Sequence, residues 1–415
     1  MKSYGFLPVI CCFLFLHPAY AYPRENESGK SGVITELAVE GLKRTKLSIA
    51  ESALNQFMGR NADALDLDAV YAAVLDTGVL EPVSIAVEDA SDGEGKILSV
   101  NVREKWSIFP VPVFFINSGQ ISGGVFFADT NAFGLNDKFF FGGMYSAEGW
   151  MLTSGYVHSG GENIPGWMLT GSFAQSERRD SGPTDEDLRR FNVDSISASA
   201  GLSYPLSRVN TSLKFSYQQM TLRETESPLE APESGARVFG VGAGVSFRKS
   251  HWDGYLLSEK VVSTGYTFMA GIESDSFHEI RFHGVYQESL LPGFKVNLNS
   301  GLLYQPFVPP LFESSPRSVQ ISILPDHFSA RHYAGVSAGF EKYLFKVSAG
   351  VLSAAVSYQA VFSEGPILGV RLDHGAAGAV VFYLSKIAIP AMGIGVSYNV
   401  GEKYPQFSFS LGMSF

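Results

Sequence analysis

Along most of this chain, large apolar residues alternate with small or polar ones at a period of two. The last nine residues are the cleanest case: Phe407, Phe409, Leu411, Met413 and Phe415 interleave with Ser408, Ser410, Gly412 and Ser414. A period of two puts one set of side chains on each face of a β-strand. Comparable stretches, broken by Gly, Pro, Asn or charged clusters, fill the chain after Trp106. At ~10 residues per strand they predict sixteen: 108–116, 119–129, 136–146, 149–159, 165–176, 191–204, 207–220, 235–248, 255–269, 276–289, 292–304, 333–344, 346–361, 375–385, 389–399 and 405–415.

Two features of this pattern point to a closed barrel in a membrane. The strand number is even, and the connections separate into two kinds. If the first strand runs outward, the outward connections include the long segments 177–190, 221–234, 305–332 and 362–374. The inward ones are tight: Pro205-Leu206, Leu291-Pro292 and Lys386 to Ala388. Long loops on one side and short turns on the other are the habit of membrane barrels. Closure follows because hydrocarbon offers no partner to an open sheet edge. The expected fold is therefore membrane all-β, a 16-stranded antiparallel transmembrane β-barrel over 107–415.

Before Trp106 the grammar differs. Val33 to Val39 alternates like a strand, and Leu47 to Met58 and Leu65 to Val79 carry apolar residues at helical spacing, the second after Asp63 as its cap. Pro82 to Val87 and Ile97 to Val102 read as strands around a polar turn. This predicts a small α+β domain over 33–106. The first 21 residues read as an export signal, with Lys2, an apolar run from Gly5 to Leu16, and Ala19-Tyr20-Ala21 as the cleavage site; 22–32 is then a linker. Both cysteines, Cys11 and Cys12, fall inside that signal, so no Cys metal site or disulfide is expected after its removal.

Composition narrows the function. Only 17% of residues are charged and 13% are aromatic, against ~25% charged in soluble domains. A net charge of -10 without a basic stripe excludes nucleic acid as a partner. Gly335-Val336-Ser337-Ala338-Gly339 matches a nucleophile elbow but lies within an alternating strand rather than at a strand-to-helix turn. The histidines are scattered without metal-site spacing. No enzyme activity, metal or cofactor is expected.

Several motifs resemble those of the BamA/TamA superfamily, in which POTRA modules precede a surface-antigen D15-type barrel. VEGLKRT (Val39 to Thr45), VLDTGVLEPVSIAV (Val74 to Val87) and VNVREKW (Val100 to Trp106) resemble a POTRA domain, with Gly41, Arg44, Thr45 and Gly78 at its motif positions. TNAFGLNDKFFFGG (Thr130 to Gly143) is similar to the turn between the second and third barrel strands. The resemblance implies a bacterial outer-membrane location with the POTRA domain in the periplasm. It implies an insertase or translocase whose partners are unfolded outer-membrane or secreted client polypeptides and outer-membrane lipids, with periplasmic or lipoprotein accessory subunits as further partners. A passive channel or structural surface barrel and a two-partner secretion transporter are the alternative readings.

The resemblance also assigns sites. The sixth outer loop would be 305–332, with Arg331, His332 and Tyr333 at its tip and Arg331 paired to Glu341 on the twelfth strand, locking the loop in the lumen. Ser363 stands where the family has Asp, with Glu364 beside it. The terminal strand residues Phe407, Phe409, Leu411, Met413 and Phe415 resemble the C-terminal signal of such barrels. Pro110 and Pro112 lie two apart on the first strand, so both imides face the same neighbour and neither donates a hydrogen bond. If that neighbour is the last strand, ending at Phe415, the closing seam is weakened and can act as a lateral gate.

Overall fold

The computed structural model describes residues 32–411 except 91–94, 118–119, 161–163, 207–208, 227–234, 254–255, 273, 320, 349, 366 and 385–389. The export signal (1–21), nearly all of the linker, Met413 and Phe415 thus lie outside the described residues. The chain forms two compact units. One comprises Val111–Phe126 and Phe141–Phe415; the other joins the segment up to Pro110 with Phe127–Phe140.

The N-terminal segment runs strand, helix, helix, strand, strand: β1 (Ile34–Glu40), α1 (Leu47–Leu54), α2 (Leu67–Asp76), β2 (Leu80–Asp89) and β3 (Lys96–Glu104). Its sheet has the order β1-β3-β2, with β3 parallel to β1 and antiparallel to β2. Leu54, Val70, Leu80, Leu98 and Val100 are fully buried and knit the helices to the sheet. The cap of α2 is Asp66, which accepts from the Asp68 N–H at 2.9 Å, rather than the expected Asp63. Asp63 lies instead in a short 3-10 turn capped by Asn61. Gly41 ends β1 with φ +89, and a Cβ there would sit 2.0 Å from the Val102 carbonyl oxygen. Only glycine fits that turn.

The remaining strands close into a sixteen-stranded antiparallel barrel. Its wall is β4 (Ile108–Asn117), β5 (Gln120–Ala132), β6 (Asp137–Ser146), β7 (Gly149–His158), β8 (Gly166–Ser181), β9 (Asp187–Leu206), β10 (Val209–Glu226), β11 (Ala236–Asp253), β12 (Leu256–Gly271), β13 (Phe277–Leu291), β14 (Phe294–Tyr304), β15 (His332–Val347), β16 (Gly350–Gly365), β17 (Gly369–Leu384), β18 (Pro390–Asn399) and β19 (Tyr404–Leu411). The end that carries the β14–β15 connection is called outer below.

Alternation sets the two faces. On β15, Tyr333, Gly335, Ser337 and Glu341 point into the lumen and are buried, while Val336 and Phe340 point outward and are exposed. Three of the four long outward connections are shorter than expected. β8 and β9 extend to Ser181 and from Asp187, β10 and β11 to Glu226 and from Ala236, and β16 and β17 to Gly365 and from Gly369. Their charge had suggested loops. In the first of them the charges pair across or along the strands instead, as Arg179 does with Asp187 and Arg190 with Glu177, so polar wall rises above the apolar belt.

The β14–β15 connection is the exception. It carries two 3-10 turns, Pro310–Phe312 and Pro316–Val319, and packs two apolar clusters against the wall. Val308, Leu311 and Phe312 meet Phe191, Val193, Val238, Met269 and Phe277. Val319, Ile321, Ile323, Leu324 and Phe328 meet Leu303, Tyr333 and Val361. Those wall residues belong to the inward set, so the connection folds back into the lumen. Each such Ile, Leu or Phe contributes about 1.5–3 kcal/mol when fully buried.

Candidate functional site

The loop is pinned by a buried charge cluster. Arg189 on β9 is 2% exposed. Its Nη2 lies 2.6 Å from Asp180 Oδ2 on β8 and 2.6 Å from Glu313 Oε2 on the loop. Asp180 Oδ1 accepts from Ser329 Oγ at 2.6 Å, and Arg178 donates to the Leu311 and Glu313 carbonyls. Arg331 Nε reaches Glu313 Oε1 at 3.2 Å. Glu313 is thus held between two guanidiniums, one from the wall and one from the loop's own base.

This replaces the expected Arg331–Glu341 pair. Glu341 sits on the same strand that Arg331 leads into, ten positions further along, and at ~3.3 Å per residue the two lie at opposite ends of β15. Glu341 has its own partners, Lys295 Nζ at 3.0 Å, Ser353 Oγ at 2.5 Å and Tyr383 Oη at 2.7 Å. His332 points outward, stacked on Tyr304 with ring centroids 4.4 Å apart. Tyr333 is buried in the loop's apolar cluster. Glu364 lies opposite His332, and its carbonyl accepts the Arg331 N–H at 2.8 Å. Ser363 is buried with its hydroxyl unpartnered. Asp180, Arg189 and Glu313 escaped the sequence reading; the signal available was inward parity of opposite charges in a segment taken for loop.

The resemblance-bearing motifs of the second unit converge on one turn. Glu104 Oε1 accepts the backbone N–H groups of Lys43, Arg44 and Thr45 at 2.9, 2.8 and 2.6 Å. Burial pulls its carboxyl upward, but these three donors outweigh it and hold the group below its usual range. Arg44 donates to Ser107 Oγ at 2.9 Å and pairs with Asp129. Thr45 Oγ1 accepts from Asn131 Nδ2 at 2.8 Å, and the Lys46 N–H donates to the Gly134 carbonyl at 2.9 Å. Gly78 turns the chain from α2 into β2 with φ +77.

At the closing seam, β19 pairs with β4 from Ser408↔Asn117 to Leu411↔Phe114 among the described residues. Thr130 N–H donates to the Ser107 carbonyl at 2.9 Å, so Ser107 turns its backbone groups toward β5. That direction alternates along a strand. Pro110 and Pro112 therefore turn their imide nitrogens away from β5; the residues that the register would set opposite them, beyond Leu411, lie outside the described residues. Phe409 meets Phe114 edge-on, ring centroids 6.2 Å apart, and Phe407 is exposed on the outer face. Gln406, one residue away, points inward and accepts from Arg317 Nη2 of the loop at 2.9 Å.

No protein-family model matches the chain, and no curated protein does. Solved structures do. BamA from Haemophilus ducreyi lacking POTRA domains 1–3 superposes with a TM-score of 0.68 at 12% identity, over 94% of this chain and 86% of that one. CdiB from Acinetobacter baumannii gives 0.64 at 15% identity, over 92% and 74%, and CdiB from Escherichia coli 0.54 at 12%, over 97% and 94%. The barrel fold is that of BamA and CdiB.

Two outcomes are expected. Because Glu104 is held low, the protection it lends the turn is complete above the ordinary Glu value of about 4.3 and is lost as pH falls through its lower folded value. Hydrogen-exchange protection at the Lys43–Thr45 amides should fall over that acidic window in the wild type and be low throughout in Glu104→Gln. In the loop, Glu313→Ala leaves Arg331 without its carboxylate and Arg189 with Asp180 alone, costing about 3–5 kcal/mol of docking. A cysteine at position 321, unreactive toward maleimide in the otherwise native protein, should become reactive in the Glu313→Ala background.

Proposed function

We propose that this chain is an outer-membrane protein that inserts or transports polypeptides, working through the β4–β19 seam. The observation that carries the reading is the seam itself. It is the one wall pairing between strands that are not neighbours in sequence, and β4 carries two prolines whose nitrogens turn away from β5 and cannot donate. A wall needed only to hold solutes apart has no use for a closure weakened on one side. A client strand has: it can pair with the exposed edge through backbone hydrogen bonds and leave sideways into the bilayer.

The N-terminal segment fits the reading as a POTRA domain in the periplasm. In its sheet β1 and β2 are edges, available to extended segments by strand addition. The loop in the lumen favours this over passive permeation, because apolar clusters fill space a channel would leave to water. The likeness to CdiB favours a second reading, transport of a secreted partner protein. Depletion separates the three. Accumulation of unfolded outer-membrane proteins marks an insertase, loss of one secreted protein marks a transporter, and altered solute entry alone marks a channel.

Ile116 and Phe409 stand opposite each other in the seam, where facing Cβ atoms lie ~4.5–5.5 Å apart. A disulfide between Ile116→Cys and Phe409→Cys should stop client insertion or secretion, with recovery on reduction; full activity while oxidised sinks the seam mechanism. Pro110→Val with Pro112→Val restores two donors worth about 0.5–1.5 kcal/mol each. Client turnover should slow and the seam cysteines should cross-link more completely.

A further inference from the structure

Three outward-facing histidines each sit beside an exposed tyrosine. His278 Nδ1 is 2.7 Å from Tyr266 Oη, and His374 Nδ1 is 2.6 Å from Tyr358 Oη. His332 Nδ1 accepts the Gln305 backbone N–H at 3.0 Å while its ring stacks on Tyr304. For His332 the ring proton is therefore on Nε2. The same tautomer in the other two makes the tyrosine hydroxyl the donor. Each ring then has an Nε2–H left to give, beside an exposed tyrosine.

The three also stand at one level of the barrel, although their sequence spacing shows nothing of the kind. A row taken at right angles to the strands runs Gly166↔Ser203↔Ser212↔Gly244↔Gly265↔Arg281↔Leu303. It starts at the first residue of β8 and reaches β14 nine residues beyond its inner end (303 against 294), a climb of 1.5 residues per strand. A level ring must descend the strands at that rate. The row of His332 crosses β13 at Ile280, two residues inward of His278, and the row of His374 crosses β15 at Val336, four residues inward of His332. That is six residues over four strands, again 1.5 per strand. Tyrosines gathered at one level near a barrel rim mark the interface between hydrocarbon and headgroups.

Directly inward of His374 the surface is hollow. Ala376 lies between Tyr358 and Tyr398 in one row, and Gly378 between Val356 and Val396 in the next. With Phe340 on β15, these residues line an open apolar groove of about 560 Å³ on the outward face. Inward of His278, the equivalent positions are filled by Ile280 and Phe282, both exposed. The level of the histidines says what covers the groove, since below the headgroups of a bilayer there are only lipid chains.

We propose that this face holds one phosphate-bearing membrane lipid, its acyl chain in the Ala376–Gly378 groove and its phosphate hydrogen-bonded by His374. The site rests on the membrane placement of the barrel proposed above and is independent of which polypeptide the seam serves. A Cβ at Gly378 would meet nothing nearer than the Ala355 carbonyl oxygen at 3.8 Å and Val356 Cγ1 at 3.9 Å, so Gly378→Leu fills the groove without disturbing the wall. Gly171 on β8 has the same freedom, with 3.8 Å to the Ser197 carbonyl oxygen, and Gly171→Leu serves as the control.

The full-length protein, extracted in nonionic detergent, is offered phosphatidylglycerol and lipid A separately and weighed by native mass spectrometry. One retained molecule per barrel of either lipid is expected, and the arm that retains it identifies the source. Gly378→Leu should cut occupancy roughly tenfold, His374→Phe should cut it while keeping an aromatic ring, and Gly171→Leu should leave it unchanged. Absence of a discrete adduct in both arms, or equal occupancy in Gly378→Leu, overturns the proposal. Heat-dependent gel mobility reports that each variant is a closed barrel. Membrane fractionation of the wild type is read separately, so failure of the membrane placement is distinguishable from failure of the lipid site.

Discussion

A sheet closed on itself satisfies the N–H and C=O groups of its strands without an open edge, and the whole structure depends on that closure. Fifteen of the sixteen strand pairings join neighbours in sequence, whose turns hold them in register. The sixteenth joins β4 to β19, the two ends of the barrel segment, and has no turn to enforce it. It is therefore the pairing with least local support, and β4, one of its two strands, carries Pro110 and Pro112, which lack donors. Such a site can trade its own backbone partners for those of another strand.

The loop in the lumen shows a division of labour between apolar packing and charge. Two clusters of buried aliphatic and aromatic residues supply most of the energy that holds it. The Asp180–Arg189–Glu313 group adds less net stability than its short distances suggest, since desolvation offsets much of the Coulomb attraction. Its contribution is position. Arg189 accepts only partners in the plane of its guanidinium, so the loop docks at one register against β8 and β9. The Glu104 turn uses the same device on a smaller scale: one carboxylate gathers three successive amides and fixes where Arg44 and Thr45 reach.

The sequence was most legible where structure is local. All sixteen wall strands were predicted from alternation, and the inner turn at Pro292 fell where it was expected, whereas Pro205 and Leu206 pair within the β9–β10 ladder. The outer boundaries were misjudged because charged residues in 177–190 and 223–234 read as solvated loop, while across a polar wall Arg179 pairs with Asp187, Arg190 with Glu177 and Arg223 with Asp194. The Arg331–Glu341 pair failed for a geometric reason, because two residues ten apart on one strand cannot meet. The pair that does form at Glu313, with Arg189, spans 124 positions. Both residues fell in segments read as outward connections, 177–190 and 305–332, and no local pattern could pair them.

Side-chain period is a property of a few consecutive residues, so the amino-acid sequence by itself determined which face each strand turns inward, how many strands there are, and where the loop leaves the wall. Register and stagger are properties of the closed ring, because each strand's height depends on all the pairings before it. Only the tertiary structure could therefore decide that Arg189 meets Glu313. The same closure brings His278, His332 and His374, set at unrelated spacings along the chain, to one level of the barrel.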